Sequence, residues 1–284
     1  MRGFEVQEPI LNSPYEEPRV HWRIAEGEPA ERVAGRRPAL YYYRPPGQAA
    51  AESGIGTAIE LKLVNRVRRQ VCIWREQGYP GVSRTTMGLI QHWRREGRQF
   101  RLFFAQLEAA ETLIFLAEAR QDLKQGIDVP LDEPTAHQRS QGASAFKRYA
   151  TKMATGTGKT TVMAMIAAWS ILNKVSNRVD SRFADAVLVV CPNVTIRNRL
   201  RELDPSEGEA SIYRTRDLVP EHLMPLLSRG GGVLVTNWHV FERQTIHVGG
   251  VPARVSKVGV PLRTTESITI GPKTTTARGI RYLT

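Results

Sequence analysis

The sequence predicts an α/β fold: a helical N-terminal region, then a parallel sheet with helical crossovers, then a hairpin-rich C-terminal segment. Three observations carry this. A Gly-rich turn, Met153 to Thr161, stands between the strand-like KRYATKM and the helical TTVMAMIAAWSILN. AVLVVC and GVLVTN are continuous apolar runs that read as fully buried parallel strands. Upstream of both, apolar residues recur at three- and four-residue spacing. Strand, loop, helix and strand in this order form the pattern of a sheet wound with helical crossovers.

Taken in order, residues 1–56 mix Pro, Gly, charge and the run Tyr41, Tyr42, Tyr43 without a sustained period, which predicts an irregular segment. Residues 57–130 form the helical region. In AIELKLVNRVRRQVCIWREQG the apolar residues Leu61, Val64, Val67, Val71 and Trp74 share one face, and Gly78 closes the helix. Ser83 is the expected N-cap of a shorter basic helix ending before Gly97, and a third helix is expected from about Arg101 to Lys124, ended by Gly126. Arg66, Arg68, Arg69, Arg94 and Arg95 form a basic outer face that either meets phosphate or is simply solvated. VPLDEPTAHQRSQGASA reads as a polar linker into the α/β domain at 131–284. From Thr245 on, β-branched residues alternating with Gly and Pro predict hairpins.

The 284 residues carry 40 Lys+Arg against 28 Asp+Glu, a net charge of +12, and this excess points to a polyanion, nucleic acid above all. A basic surface serving only solubility is the competing reading. The N-terminus lacks the apolar core of a secretory signal, and no apolar run reaches the roughly 20 residues of a spanning helix, so a cytoplasmic protein without a membrane is expected. Cys72 and Cys191 have neither metal-ligand spacing nor a disulfide framework and read as buried small apolar residues.

The turn between Met153 and Thr161 carries the chemistry. Gly156 and Gly158 let the backbone approach an anion closely, so that amides of Thr155, Thr157 and Thr161 at a helix start can point at phosphate. Lys159 would reach the β and γ phosphates of ATP, and the Thr160 hydroxyl would ligate Mg²⁺. Met153 stands where the general pattern has glycine. Asp132-Glu133 is a candidate metal and water-activating pair, but no apolar strand leads into it, and a solvated turn is the expectation. Glu242 and Glu266 are lone acids. Glu60-Leu61-Lys62 lacks the partner aspartate that nuclease chemistry needs.

The segments GRRPALYYY, FFAQLEAAET, KMATGTGKTTVMAMIAAWSILNK, LVVCPNVTIRNRLREL and VLVTNWHVFE resemble the N-terminal part of helicase-containing restriction endonuclease subunits, the Res subunits of type III systems and their superfamily-two relatives. Ala154 through Thr160 match that superfamily's AxxGxGKT form of the loop. The FFAQLEAAET block, Trp22 and Gly35-Arg36-Arg37-Pro38 are the more specific features. The resemblance implies a RecA-like ATP-binding domain at 131–284, ATP and Mg²⁺ as cofactors, double-stranded DNA as partner, and a modification methyltransferase as companion subunit.

The resemblance also implies that Gln106 reads adenine, its amide donating and accepting at once. Pro192, Asn193, Thr195 and Arg197 after one strand, and Thr236 and Asn237 after the other, would meet a nucleic-acid backbone. A surface glutamine and a helix cap at Thr195 are the plain alternatives. The Asp-Glu box, the second RecA-like domain with its arginine finger and the nuclease domain of such enzymes have no counterpart here. The expectation is therefore a truncated chain that is not catalytically competent alone. An inactive or regulatory nucleic-acid-binding fragment and a non-helicase P-loop ATPase are the rival readings.

Overall fold

A computed structural model describes residues 8–24, 29–43 and 56–241, and the backbone of 267–270 and 273–276. The described chain is a mixed α/β protein. It begins with β1 (Val20–Arg23), β2 (Glu31–Ala34), β3 (Leu40–Tyr43) and β4 (Thr57–Glu60), then α1 (Lys62–Glu76), α2 (Arg84–Arg94) and α3 (Phe104–Glu118). β5 (Leu131–Asp132), α4 (Ala136–Ser140) and β6 (Phe146–Lys147) precede the long α5 (Lys159–Ser176). β7 (Ala186–Cys191), α6 (Val194–Arg199), α7 (Ile212–Thr215), α8 (Met224–Gly230) and β8 (Gly232–Asn237) follow, with β9 (Ser267–Ile270) and β10 (Lys273–Thr276) last. The chain divides into two compact units, one of residues 1–129, 149–187 and 201–234, the other of 130–148, 188–200 and 235–284.

In the first unit, two short antiparallel pairs form where irregular backbone is expected. β1 pairs β2 with Trp22 opposite Arg32, and β3 pairs β4 with Tyr42 opposite Ala58. Four-residue strands are too short to display a period, which is why they do not stand out in the sequence. Asn12 fixes the first pair, its Oδ1 accepting from Arg19 N at 2.9 Å and its Nδ2 donating to Val20 O at 2.9 Å. Because Ala58, Ile59 and Glu60 are committed to β4, α1 starts later than its sequence pattern predicts.

Ser83 caps α2 as expected, its Oγ accepting from Thr86 N at 2.9 Å. The third helix is shorter than predicted. Ala119 and Arg120 turn to extended ψ values of 150° and 151°, so Gln121–Lys124 is a separate 3-10 turn before Gly126 at φ +71°. α5 is the core helix: Ala164, Met165, Ala168, Ile171 and Leu172 are fully buried, and it packs against α2, α3, α7 and α8. Apolar residues around most of its circumference suit a helix covered on several sides. Trp74, Trp93, Phe115 and Tyr213 fill the surroundings, each worth about 1.5–3 kcal/mol or more by burial.

Two buried carboxylates tie these helices together. Glu111 on α3 receives Arg75 of α1 at 2.9 Å, Arg94 of α2 at 2.5 Å and the Tyr79 hydroxyl at 3.0 Å. Glu118, two turns further on, accepts from Ser83 N at 2.8 Å, Thr86 Oγ1 at 2.7 Å and Trp169 Nε1 of α5 at 2.6 Å. Burial and the neighbouring Glu111 push the Tyr79 phenol well above its ordinary pKa, so it stays protonated as a donor.

The strand-like KRYATKM is not a strand up to the Gly-rich turn. Only Lys147 of it is extended in β6, paired with β5 in the second unit. Polar and basic residues there offer no apolar face for a sheet to bury. The expected linker instead contains α4, capped by Thr135 and Gln138. β7 and β8 form a two-stranded sheet, joined at their starts by Gly232 N to Asp185 O at 2.9 Å. The expectation of fully buried strands is overturned: only Cys191, Val233 and Asn237 are buried, while Leu234 is 62% exposed. The described residues supply just these two strands, too few to enclose one another's faces.

Cys191 is buried as expected, but Cys72 is only partly so and donates to Glu76 at 3.5 Å. β9 and β10 pair antiparallel as a hairpin. The remaining hairpins expected from Thr245 on, with Glu242 and Glu266, lie outside the described residues. No helix among the described residues is long and apolar enough to cross a membrane.

Candidate functional site

The turn at the start of α5 is made by two left-handed glycines. Gly156 and Gly158 take φ of +83° and +80°, a left-handed conformation that side chains disfavour, and Gly158 is the N-cap of α5. Lys159 and Thr160 are then the first two helical residues, where backbone amides have no partner within the helix. A Cβ at Gly156 would meet open space, whereas one at Gly158 would overlap the Gln106 side-chain amide.

The loop is closed on its own carbonyls. Lys159 Nζ donates to Met153 O at 3.1 Å and Ala154 O at 2.8 Å, and Thr157 Oγ1 donates to Ala154 O at 2.7 Å. Gln106 lies against it: Nε2 donates to Thr157 O at 3.1 Å, while Oε1 accepts from Phe103 N at 2.9 Å and so caps α3. Gln106 is 6% exposed, which removes the plain surface-glutamine alternative.

A cavity of about 250 Å³ opens beside Gln106, lined by Phe100, Phe103, Gly156, Gly158, Thr161 and Arg216 among others. The Arg216 guanidinium lies 5.2 Å from the Phe100 ring centroid. Phe100 and Arg216 carry no sequence signal as site residues, since Arg216 comes from a segment over a hundred positions away. Two apolar rings, an amide and a helix start in one cavity suit a flat base joined to phosphates. The donor set therefore fits ATP: backbone amides and Lys159 for phosphate, and the half-exposed Thr160 hydroxyl for Mg²⁺.

In the second unit the two segments expected to meet nucleic acid come together. Trp238 Nε1 donates to Pro192 O at 3.2 Å. Asn193, not Thr195, caps α6, its Oδ1 accepting from Ile196 N at 2.9 Å, so the alternative of a cap at Thr195 does not hold. The acceptor of a cap belongs one position before the first helical residue, and Thr195 is already inside α6. Thr195 is exposed and Arg197 half-buried; Thr236 is half-buried on β8. Asn237 is 8% exposed, and its Oδ1 has no hydrogen-bond partner.

Much of the basic face is already engaged. Arg94 is bound to Glu111, Arg95 to Asp217, and Arg66 Nη1 donates to Gly126 O at 2.5 Å. These three hold the fold together, while Arg68 and Arg69 are left by this bonding. Asp132 pairs with Arg148, and Glu133 with Arg139 at 2.9 Å, as solvated turn residues do. No cluster of three His, Cys, Asp or Glu able to hold a metal occurs among the described residues.

Residues 99–209 match the family model described as type III restriction enzyme, res subunit. That span begins just before Phe100, contains Gln106 and the whole Gly-rich loop, and runs past α6. No curated protein and no solved structure matches the chain. Residues 99–209 are accordingly a Res-like, helicase-family region.

Proposed function

We propose that this chain binds ATP with Mg²⁺ at Thr155–Thr161 and forms the ATP-binding, DNA-acting portion of a helicase or translocase belonging to a restriction endonuclease subunit. The observation that carries the reading is that Lys159 and Gln106 both donate to carbonyls of one left-handed glycine turn at the start of α5. Lys159 exchanges the carbonyls of Met153 and Ala154 for β and γ phosphate oxygens, and the Thr160 hydroxyl turns to the metal. Gln106 directs its amide to the adenine edge, with Phe100 and Arg216 beside the base. The bound Mg²⁺ supplies charge neutralisation across the phosphates.

On this reading β7 and β8 run parallel, as the first strands of a RecA-like sheet. Double-stranded DNA lies along Pro192, Asn193, Thr195 and Arg197, with Thr236 and Asn237 beside them. The unpartnered Oδ1 of Asn237 suits a ligand that brings a donor. A modification methyltransferase is the expected companion subunit.

A second reading, a nucleotide-holding regulatory module without turnover, is favoured by one observation: no carboxylate among the described residues lines the cavity beside the loop. Titration of the chain with MgATP in a calorimeter tests the site itself. Lys159→Ala should weaken binding at least about tenfold by removing a charge-assisted contact. Equal affinity of the two proteins would remove the phosphate-loop assignment.

A further inference from the structure

Trp22 and the Gly35–Pro38 segment lie against a second cavity, well apart in sequence from the phosphate loop. Within the first unit they line, with α1, a cleft of about 730 Å³. One part of its wall is apolar, including Val20, Trp22 and Leu40. The charged part is Arg36, Arg37, Arg68 and Lys152, and no carboxylate is among the lining residues that are described.

These four cations are not equally free. Arg36 is held by both oxygens of Glu108, with Glu17 at 3.6 Å, and Arg37 donates to the Tyr42 hydroxyl at 3.3 Å. Arg68 and Lys152 have no hydrogen-bond or ion-pair partner among the described residues. Arg68 is also partly desolvated: burial first, and then the neighbouring Arg36 guanidinium, lower its pKa, with only Glu108 acting the other way. A cation withdrawn from water beside another cation carries an energetic cost that a bound anion removes.

The shape narrows the class of anion. A cleft of this size lies within the range of small-molecule sites, and inorganic phosphate would leave the apolar wall bare. A ligand that covers both parts joins a phosphate to a flat, weakly polar ring. We propose that this cleft binds a phosphate-bearing nucleotide unit, with its phosphate between Arg68 and Lys152 and its base on the wall of Val20, Trp22 and Leu40. The unit is either a free mononucleotide or one residue of a single nucleic-acid strand. The cleft shares no lining residue with the cavity beside Gln106, although Lys152 adjoins Met153, and its assignment does not rest on ATP binding there.

The test uses the full chain in chelator, with three probes: dTMP, a short fluorescent oligo-dT strand and inorganic phosphate. Arg68→Ala should weaken at least one nucleotide probe about tenfold and lower the salt dependence of strand binding by about one counterion. Lys152→Ala, an exposed loop change that leaves the core intact, should weaken the same probe several-fold. Loss for dTMP and the strand together identifies a mononucleotide site, and loss for the strand alone identifies a strand site; inorganic phosphate should compete only weakly. Unaltered MgATP affinity in Arg68→Ala separates this site from the phosphate loop. Wild-type affinity for both nucleotide probes in both folded variants, or no binding of either by the wild type, overturns the proposal.

Discussion

Gln106 Nε2 donates to the carbonyl of Thr157 at 3.1 Å, so the first turn of α3 is bonded directly to the glycine turn before α5. The other end of α3 is bonded to the helix that follows that turn, since Glu118 accepts from Trp169 Nε1 of α5 at 2.6 Å. The two helices are therefore pinned at both ends of α3. A change in the loop conformation is felt by the residue proposed to read the base, and the reverse holds as well.

Gly158→Ala tests the tightness of that junction. The substitution places a Cβ on a φ of +80° and against the Gln106 amide. Strain of about 1–3 kcal/mol is expected, seen as a lower unfolding midpoint, together with loss of MgATP binding. In the double variant with Gln106→Ala the overlap is relieved but the φ penalty persists, so stability should recover only in part. Full recovery would show that the left-handed backbone carries no cost here.

Trp169→Phe removes one of three donors to the buried Glu118 carboxylate while keeping the aromatic packing on Phe183. An unsatisfied carboxylate lone pair at 4% exposure should cost about 1–3 kcal/mol in denaturant unfolding. A cost within experimental error would mean that Ser83 and Thr86 satisfy the carboxylate alone.

His92 makes the stability depend on pH. Burial, and then the nearby Arg95 and Arg98, lower the imidazole pKa, while Asp217 opposes them with a ring-nitrogen contact at 3.0 Å. The unfolded chain, with an imidazole near its ordinary value of about 6.5, takes the proton first. This contribution is fully present above that value and is lost as pH falls toward the lower folded-state pKa. His92→Gln should flatten the fall in melting temperature between neutral and mildly acid pH. An identical fall in both proteins would assign the acid sensitivity to other groups.

Arg197→Ala should reduce duplex DNA affinity evenly across sequences and lower the salt slope by about one. A sequence-dependent loss would point to base contact instead of phosphate contact.

The glycine turn before α5 was legible because its signal is local: two glycines at alternate positions directly before an apolar run favour a left-handed turn into a helix. The Ser83 cap was legible for the same reason. What depends on distant partners was not. Arg94 reads as an outward cation on a basic helix, yet its carboxylate, Glu111, lies on the next helix, and nothing in the spacing of either announces the pair. Arg216 likewise reaches the cavity beside Gln106 only through the tertiary fold. β7 and β8 were identified by their apolar runs, but their half-exposed state depends on how many strands flank them, which an isolated run cannot state.

The last prediction is that the chain holds MgATP but hydrolyses it slowly. Phosphoryl transfer needs a positioned water and stabilisation of charge on the transferred group, of which an arginine finger alone contributes roughly 10³–10⁵ in rate. Among the described residues, the cavity beside the loop is lined by rings, amides and arginines, and by no carboxylate that could orient water. Asp132 and Glu133, the acidic pair nearest in sequence, are engaged by Arg148 and Arg139. Arg216 is in the cavity, but its guanidinium lies over the Phe100 ring, on the proposed base side of the loop. Turnover on the order of 10⁻³ per second or slower is expected, the range of intrinsic hydrolysis where these groups are incomplete. A phosphate-release assay with saturating duplex DNA measures it. Rapid, DNA-stimulated turnover that disappears in Lys159→Ala would mean that a carboxylate outside this cavity reaches the attacking water.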